Sequence, residues 1–151
     1  MSTAVLSHAL PSARSEKAPP RGRATRSPNA LDMVQQVRTG FKPTTLDALA
    51  TSLGVGQEQA IALLNLPRST IKRQQSEGRS FSPDISDRLY RARKLLDVSR
   101  ETIGDDAAAV RWLQRAHPAL GGVTALSLVD TTVGYERVLD ELQRIANGVA
   151  A

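Results

Sequence analysis

Cysteine is absent from this 151-residue sequence. Its absence excludes disulfides, thiolate metal sites and a cysteine nucleophile. The only histidines are His8 and His117, and neither has a partner at the spacing of metal ligands, so no metal site is predicted. No apolar run approaches the roughly 20 residues that a membrane-spanning helix needs. The sequence therefore predicts neither a metal cofactor nor a membrane association.

Aromatic residues are also scarce, with two Phe, two Tyr and one Trp. Leu, Ile, Val and Ala must therefore fill the core. Residues 1–10 have no basic residue ahead of their short apolar content, so a signal peptide is not predicted and a cytoplasmic location is expected.

Positive charge is in excess, and it is unevenly distributed. The net charge is +5 for the chain, with +4 in residues 1–28, +3 in residues 29–98 and −2 in residues 99–151. A basic N-terminal part favours a polyanionic partner such as DNA. Residues 1–28 are also rich in Pro, Ser, Ala and Arg without an apolar period, which predicts a disordered basic tail.

The rest of the chain reads as helices, and no segment alternates with a period of two, so no sheet is predicted. The predicted helices cover residues 29–40, a segment beginning at Thr44 or Thr45, residues 57–64 and 68–76, a segment beginning at Ser82-Pro83, and residues 105–116, 125–130 and 133–147. In the first of them Leu31, Val34 and Val37 line one side. Asn29, Ser82, Thr124 and Thr132 are the expected caps, together with Thr44 or Thr45.

Residues 57–75 carry the pattern of a helix-turn-helix. Asn65 stands where the first helix must end in a left-handed residue, and Pro67 opens the second helix. Ile61, Leu64, Leu66 and Ile71 are expected to face inward. A DNA major groove admits one helix, so the outward residues are the expected DNA contacts: Arg68, Thr70 and Arg73 for bases, Ser69 and Lys72 for phosphates, and Arg79 beyond the helix, with Arg88, Arg91, Arg93 and Lys94 as further backbone contacts.

Two stretches resemble a known family. Pro67-Arg68-Ser69-Thr70-Ile71-Lys72-Arg73 is similar to the helix-turn-helix of the Xre and phage-repressor group. The segments 109–113 (AVRWL), 120–125 (LGGVTA) and 131–134 (TTVG), continuing through Val138, Leu142, Arg144-Ile145 and Gly148, resemble the toxin-binding domain of Xre/MbcA/ParS antitoxins. Ala125 departs from the pattern, which usually has proline there.

The resemblance implies an antitoxin without catalysis of its own, whose partner is a RES-domain toxin that consumes NAD. Its C-terminal module would obstruct the toxin's active site, and its helix-turn-helix would bind the operator of its own operon. An operator with two half-sites needs two DNA-binding helices, so a homodimer is expected. The predicted fold is all-α, with a disordered tail (1–28), a helix-turn-helix domain (29–97) and a small helical toxin-binding domain (98–151).

Toxin contacts are harder to locate from the sequence. Trp112 reads either as a core anchor or as an interface residue, and the other candidates lie at the C-terminal end: Arg144, Asn147, Gly148, Val149, Ala150 and Ala151. The adjacent carboxylates Asp105-Asp106 and Asp140-Glu141 point apart on a helix, so no catalytic residue, cofactor or small-molecule substrate is predicted.

Three other functions remain open at this point. The chain could be a stand-alone repressor whose C-terminal module only dimerises, or a nucleoid-coating protein bound through charge alone, which predicts steep salt dependence. An enzyme is the most distant alternative.

Overall fold

The computed structural model describes residues 29–148 of the chain. The regular secondary structure of these residues is helical apart from one minimal hairpin, so the all-α prediction is confirmed. The predicted tail, residues 1–28, and the last three predicted toxin contacts, Val149, Ala150 and Ala151, lie outside the described residues. The helices are α1 (Ala30–Thr39), α2 (Thr44–Ser52), α3 (Gln57–Leu63), α4 (Arg68–Ser76), α5 (Pro83–Ile103), α6 (Asp106–Gln114) and α7 (Thr132–Ala146).

The hairpin corrects the prediction that no sheet is present. Strands β1 (Ala116–His117) and β2 (Val123–Thr124) pair antiparallel, with a 3-10 helix (Pro118–Leu120) between them and a second one (Ala125–Asp130) after them. Two-residue strands are too short to produce an alternating pattern, so no pattern in the sequence predicted them. The hairpin also explains why α6 ends at Gln114 and not at the predicted residue 116.

Three predicted helix caps are confirmed. Asn29 accepts a hydrogen bond from the Asp32 amide at 2.8 Å, and Asp32 returns one to the Asn29 amide, which completes a capping box. Ser82 caps α5 at the Ile85 amide, and Thr124 caps the second 3-10 helix.

Two other caps are wrong. Helix α2 begins at Thr44 directly after Pro43, which is itself helical, so neither Thr44 nor Thr45 acts as a cap. At α7 the cap is Thr131, whose hydroxyl accepts from the Gly134 amide at 3.0 Å, while Thr132 is already the first helical residue. Adjacent threonines offer the same chemistry, and only the backbone conformation distinguishes them.

Helix α5 lies at the centre and packs against α1, α2, α6, α7 and the second 3-10 helix. The side chains predicted to form its apolar stripe and that of α2 are all buried: Ile85, Leu89, Ala92, Leu95, Leu96, Leu46, Leu49, Ala50 and Leu53. Helix α1 is the exception, because none of its residues is buried. Its Leu31 is 75% exposed and Val34 is 43% exposed, so the predicted apolar side of α1 does not enter the core.

The predicted division at residues 97 and 98 falls inside α5, which runs without interruption from Pro83 to Ile103. The buried side chains of the helix-turn-helix part and of the C-terminal part form one continuous cluster. Gln114 of α6 reaches back to donate a hydrogen bond to the Leu53 carbonyl at 2.7 Å. The two parts therefore share a helix and a core.

Candidate DNA- and toxin-binding surfaces

The turn between α3 and α4 is a helix-turn-helix corner. Asn65 is left-handed, with φ of 51°, as predicted for the residue that ends α3. Leu66 is buried directly after it, and Pro67 precedes α4 as its N-cap. Ile61, Leu64 and Ile71 are buried on either side, so the predicted inward residues of this motif are confirmed.

Helix α4 presents its predicted DNA-contacting residues on the surface. Ser69 and Arg73 are exposed, and the side chains of Arg68 and Lys72 are 73% and 46% exposed. Thr70 is half-buried. With Ile71 fully buried and its neighbours outward, α4 offers one basic face to a partner. Their contacts with DNA stay a prediction.

Two of these cations have a partner that the sequence analysis missed. Glu58, in the first turn of α3, lies 3.1 Å from Arg68 Nε and 2.5 Å from Lys72 Nζ. Gln57 Oε1 also accepts from Lys72 Nζ, at 3.4 Å. The Lys72 hydrogen bond, with a smaller contribution from the charge of Arg68, holds the pKa of the Glu58 carboxyl below its ordinary value. The cluster depends on how α3 and α4 meet, and the sequence pattern carried no signal for it.

The downstream arginines differ in what their side chains contact. Arg79, just past α4, is 74% exposed and pairs only with Glu77 among residues 29–148. Arg88 donates to the Asn65 carbonyl at 2.9 Å. Arg91 pairs with Asp87 and donates to the Val129 carbonyl at 3.0 Å. Both side chains thus bind the protein's own main chain, and their contacts with DNA stay a prediction.

The same region joins the helix-turn-helix to the C-terminal part. Asn65 Nδ2 donates to the Ser127 carbonyl in the second 3-10 helix at 3.0 Å. Arg91 also lies 3.4 Å from the Thr132 hydroxyl at the start of α7. The corner that precedes α4 is thus bonded to an element 62 residues further along the chain.

The sequence left open whether Trp112 is a core anchor or an interface residue, and its surroundings have features of both. Its side chain is half-buried against the core, and its ring centroid lies 4.5 Å from that of His117. His117 is buried, and its Nε2 lies 2.7 Å from the Trp112 carbonyl oxygen. Trp112 therefore anchors the end of α6 to β1, while part of its ring remains at the surface.

The other described toxin candidates lie together at the C-terminal end of α7. Asn147 and Gly148 are exposed, and Gly148 has a φ of 70° that ends the helix as predicted. Arg144 is 45% exposed, and its guanidinium lies 3.2 Å from the carboxylate of Glu141, whose side chain is only 4% exposed. Arg144 thus neutralises a buried charge of its own helix, a role that the sequence did not predict.

Two exposed apolar side chains of the C-terminal part were missed. Val123 of β2 is 40% exposed and Val133 of α7 is 76% exposed. Isolated valines at the surface are ordinary, so sequence alone offers no signal for them. Within residues 29–148 they are the large apolar side chains that this part leaves most accessible to a partner.

Residues 29–148 contain no group of three or more His, Asp or Glu side chains that could hold a metal ion. In the same residues no helix has the length and hydropathy of a membrane span.

Burial raises the pKa of the half-buried Tyr135 hydroxyl.

Comparison with known protein families matches both parts. Residues 32–93 match the antitoxin Xre-like helix-turn-helix domain, and residues 99–148 match the antitoxin Xre/MbcA/ParS C-terminal toxin-binding domain. The two matches meet within α5, between residues 93 and 99.

Several curated proteins are similar over most of their length. The Prs ADP-ribosylating antitoxin of Sphingobium sp. (strain YBL2) is 29% identical over 130 residues, which is 80% of this chain and 82% of that protein. Antitoxin Xre of Yersinia enterocolitica is 23% identical over 78% of this chain and 80% of its own length, and Antitoxin Xre of Photorhabdus laumondii is 26% identical over 74% and 76%. With its helix-turn-helix and its toxin-binding domain in this order, the chain belongs to the Xre/MbcA/ParS antitoxin family.

Proposed function

We propose that the chain is the antitoxin of a type II toxin–antitoxin system. It binds a RES-domain toxin, obstructs the toxin's active site and represses its own operon by binding operator DNA. The observation that carries the proposal is the sharing of one helix, α5, by an exposed basic helix-turn-helix and a toxin-binding unit.

The surface of α4 supports the DNA-binding half of the proposal. A helix enters the major groove through its first residues, which in α4 include Arg68 and Ser69, and Arg73 follows one turn after Ser69; all three are exposed. Their residue types suit base edges and phosphates. A homodimer would bring two such helices to two half-sites.

The toxin half rests on the family match and on the surface of residues 99–148. Trp112, Val133 and the end of α7 are accessible there. The name of the Sphingobium relative refers to ADP-ribosylation, a reaction in which NAD supplies the transferred group. A RES-domain toxin that consumes NAD is the partner we propose for this chain.

The chain itself would contribute binding and no catalysis. Asp105 caps α6 through the Ala108 amide, and Glu141 is paired with Arg144, so these carboxylates already have structural partners. The proposal needs no cofactor or small-molecule substrate. It places the protein in the cytoplasm, where its operator and NAD are found.

Co-expression with the product of the adjacent gene tests the proposal. We expect the neighbour alone to arrest growth and deplete NAD, and co-expression to restore both through a complex that co-purifies. Free nicotinamide with free ADP-ribose would identify NAD hydrolysis, whereas ADP-ribose attached to protein would identify a transferase. A harmless neighbour, or no complex, would favour a stand-alone repressor whose C-terminal part only dimerises.

Replacing Arg73 with Ala tests the groove assignment. Arg73 is exposed on α4, and among residues 29–148 it has no ion-pair partner, so its loss removes a DNA contact without breaking an internal one. We expect operator binding to weaken by about 1–3 kcal/mol if it pairs with guanine. Fluorescence anisotropy on the promoter duplex measures this change.

The matched control for that variant is Arg111→Ala, which removes an equal charge from the exposed face of α6. It should leave operator affinity nearly unchanged. Equal losses in the two variants would mean that net charge alone drives binding, as in a nucleoid-coating protein.

A further inference from the structure

Glu58 lies between the two cations that stand one helical turn apart on α4. Arg68 and Lys72 are four residues apart and therefore share a face of that helix. Each carboxylate oxygen has one of them as its partner: Oε2 faces Arg68 Nε at 3.1 Å, and Oε1 faces Lys72 Nζ at 2.5 Å. Both acceptor atoms of Glu58 are thus occupied by the side chains expected to meet DNA.

The stability of the fold gives no strong reason for this arrangement. All three side chains are about half exposed or more, at 51%, 73% and 46% for Glu58, Arg68 and Lys72. Ion pairs in such a setting contribute little to the free energy of unfolding, because water screens them. The acid does, however, place a negative charge on the surface that phosphates would approach.

We infer that Glu58 is a specificity-determining residue, which competes with DNA phosphates for Arg68 and Lys72 and so weakens binding to DNA of any sequence. The inference rests on the proposed DNA-binding function of α4. Arg68 and Lys72 exchange Glu58 for phosphate when DNA binds, and Glu58 itself repels the backbone. Binding to non-operator DNA depends almost entirely on such charge contacts, whereas operator binding also has contacts to base edges.

The consequence is a larger gap between operator and non-operator affinity. Non-operator sites greatly outnumber any operator in a genome, so a regulator gains more from suppressing them than from a tighter operator complex. Gln57, the neighbour that also bonds Lys72, lacks this charge and would not repel phosphate.

Glu58→Gln is the test, since it removes the charge and keeps the shape. The probes are 30-bp duplexes tiling the region upstream of the chain's own reading frame, and a scrambled duplex of the same base composition. Affinities are measured by fluorescence anisotropy over a series of KCl concentrations on the full chain. The control is Glu101→Gln, which removes one charge from an exposed residue in the last turn of α5.

We expect Glu58→Gln to tighten binding to the scrambled duplex by about three- to tenfold and to the operator by less. The salt dependence should steepen, by about 0.9 in the slope of log K against log salt for each additional phosphate contacted. Arg68→Ala should then cost more affinity in the Glu58→Gln background than in the natural chain, because Glu58 no longer occupies the arginine.

Three results would overturn the inference. Unchanged affinity would show that Glu58 does not compete, and an equal rise with Glu101→Gln would reduce the effect to net charge. A loss confined to the operator would show that Glu58 reads a base directly, as a carboxylate does at cytosine N4. If the natural chain binds no duplex even at low salt, the proposed DNA-binding function itself fails, which is a different outcome from all three.

Discussion

Gly134 is the residue whose replacement the structure restricts most clearly in the toxin-binding part. A Cβ atom at this position would lie 2.3 Å from the Leu128 carbonyl oxygen and 2.9 Å from the Thr131 hydroxyl. No side chain fits there unless α7 moves away from the second 3-10 helix. The backbone of Gly134 is helical, a conformation that any residue can adopt. The glycine is therefore required for close packing and not for its conformational freedom.

Gly134→Ala should therefore lower the free energy of unfolding by about 1–3 kcal/mol through overpacking, and weaken co-purification with the toxin. Thermal denaturation and a pull-down measure the two effects. Gly56→Ala is the matched control, because a Cβ there meets nothing within 4 Å. Equal stabilities of the two variants would contradict the close packing.

Arg144 shows why a predicted contact residue needs a stability control. Its partner Glu141 is buried, with a side chain 4% exposed, so Arg144→Ala leaves a buried carboxylate without its counter-charge. We expect a loss of about 1–3 kcal/mol in urea unfolding. The double variant Arg144→Ala with Glu141→Gln removes the charge as well and should recover part of that loss.

If the single and double variants of this pair unfold at the same urea concentration, the ion pair has no structural role. Toxin binding by the double variant then reports the contact itself. Without this comparison, a toxin-binding defect in Arg144→Ala would be ambiguous.

At the scale of elements, α1 shows that a segment can form a helix as predicted without burying any side chain in the core. Its cap at Asn29 and its stop at Gly40 were predicted from sequence and are confirmed, because caps depend on local hydrogen bonds. Leu31, Val34 and Val37 were predicted to line one side of the helix, and none of the three is buried. The period of the apolar residues shows which side of the helix is apolar, but it does not show whether another element packs on that side.

The double variant Leu31→Ala with Val34→Ala should change the free energy of unfolding by less than about 0.5 kcal/mol, because neither side chain is buried. Leu89→Ala on α5, where the side chain is 1% exposed, should cost about 2–5 kcal/mol. Chemical denaturation compares the two. A large loss in the α1 variant would mean that this face is covered in solution.

The short elements mark the limit of the sequence-based prediction. The helices α1 to α5 follow from caps, glycine stops and apolar spacing over nine or more residues in most cases. The hairpin 116–117 with 123–124 depends on two backbone pairings, and the Glu58 cluster depends on how two helices meet. Neither leaves a periodic pattern, so both required coordinates.

At the scale of the whole molecule, the sharing of α5 and of one core predicts a single unfolding transition. Trp112 is the only tryptophan and lies in the toxin-binding part, while far-UV circular dichroism reports all helices. The two signals should change at the same urea concentration. Separate midpoints would show that the two parts unfold independently.

A fragment of residues 98–151 provides the complementary measurement. It lacks most of α5, including Leu89, Leu95 and Leu96, which are buried in the common core. We expect its circular dichroism to lack the helical signal of α7. A folded fragment would support the division at residue 98 as a true domain boundary.

The bonds between the helix-turn-helix corner and the second 3-10 helix bear on how such proteins diverge. Asn65 and Arg91 donate to the carbonyls of Ser127 and Val129, which every amino acid possesses. Mutation of residues 127 and 129 therefore leaves these acceptors in place. The half that carries the toxin-binding domain can therefore change its side chains, while its alignment with the helix-turn-helix half is inherited through the main chain.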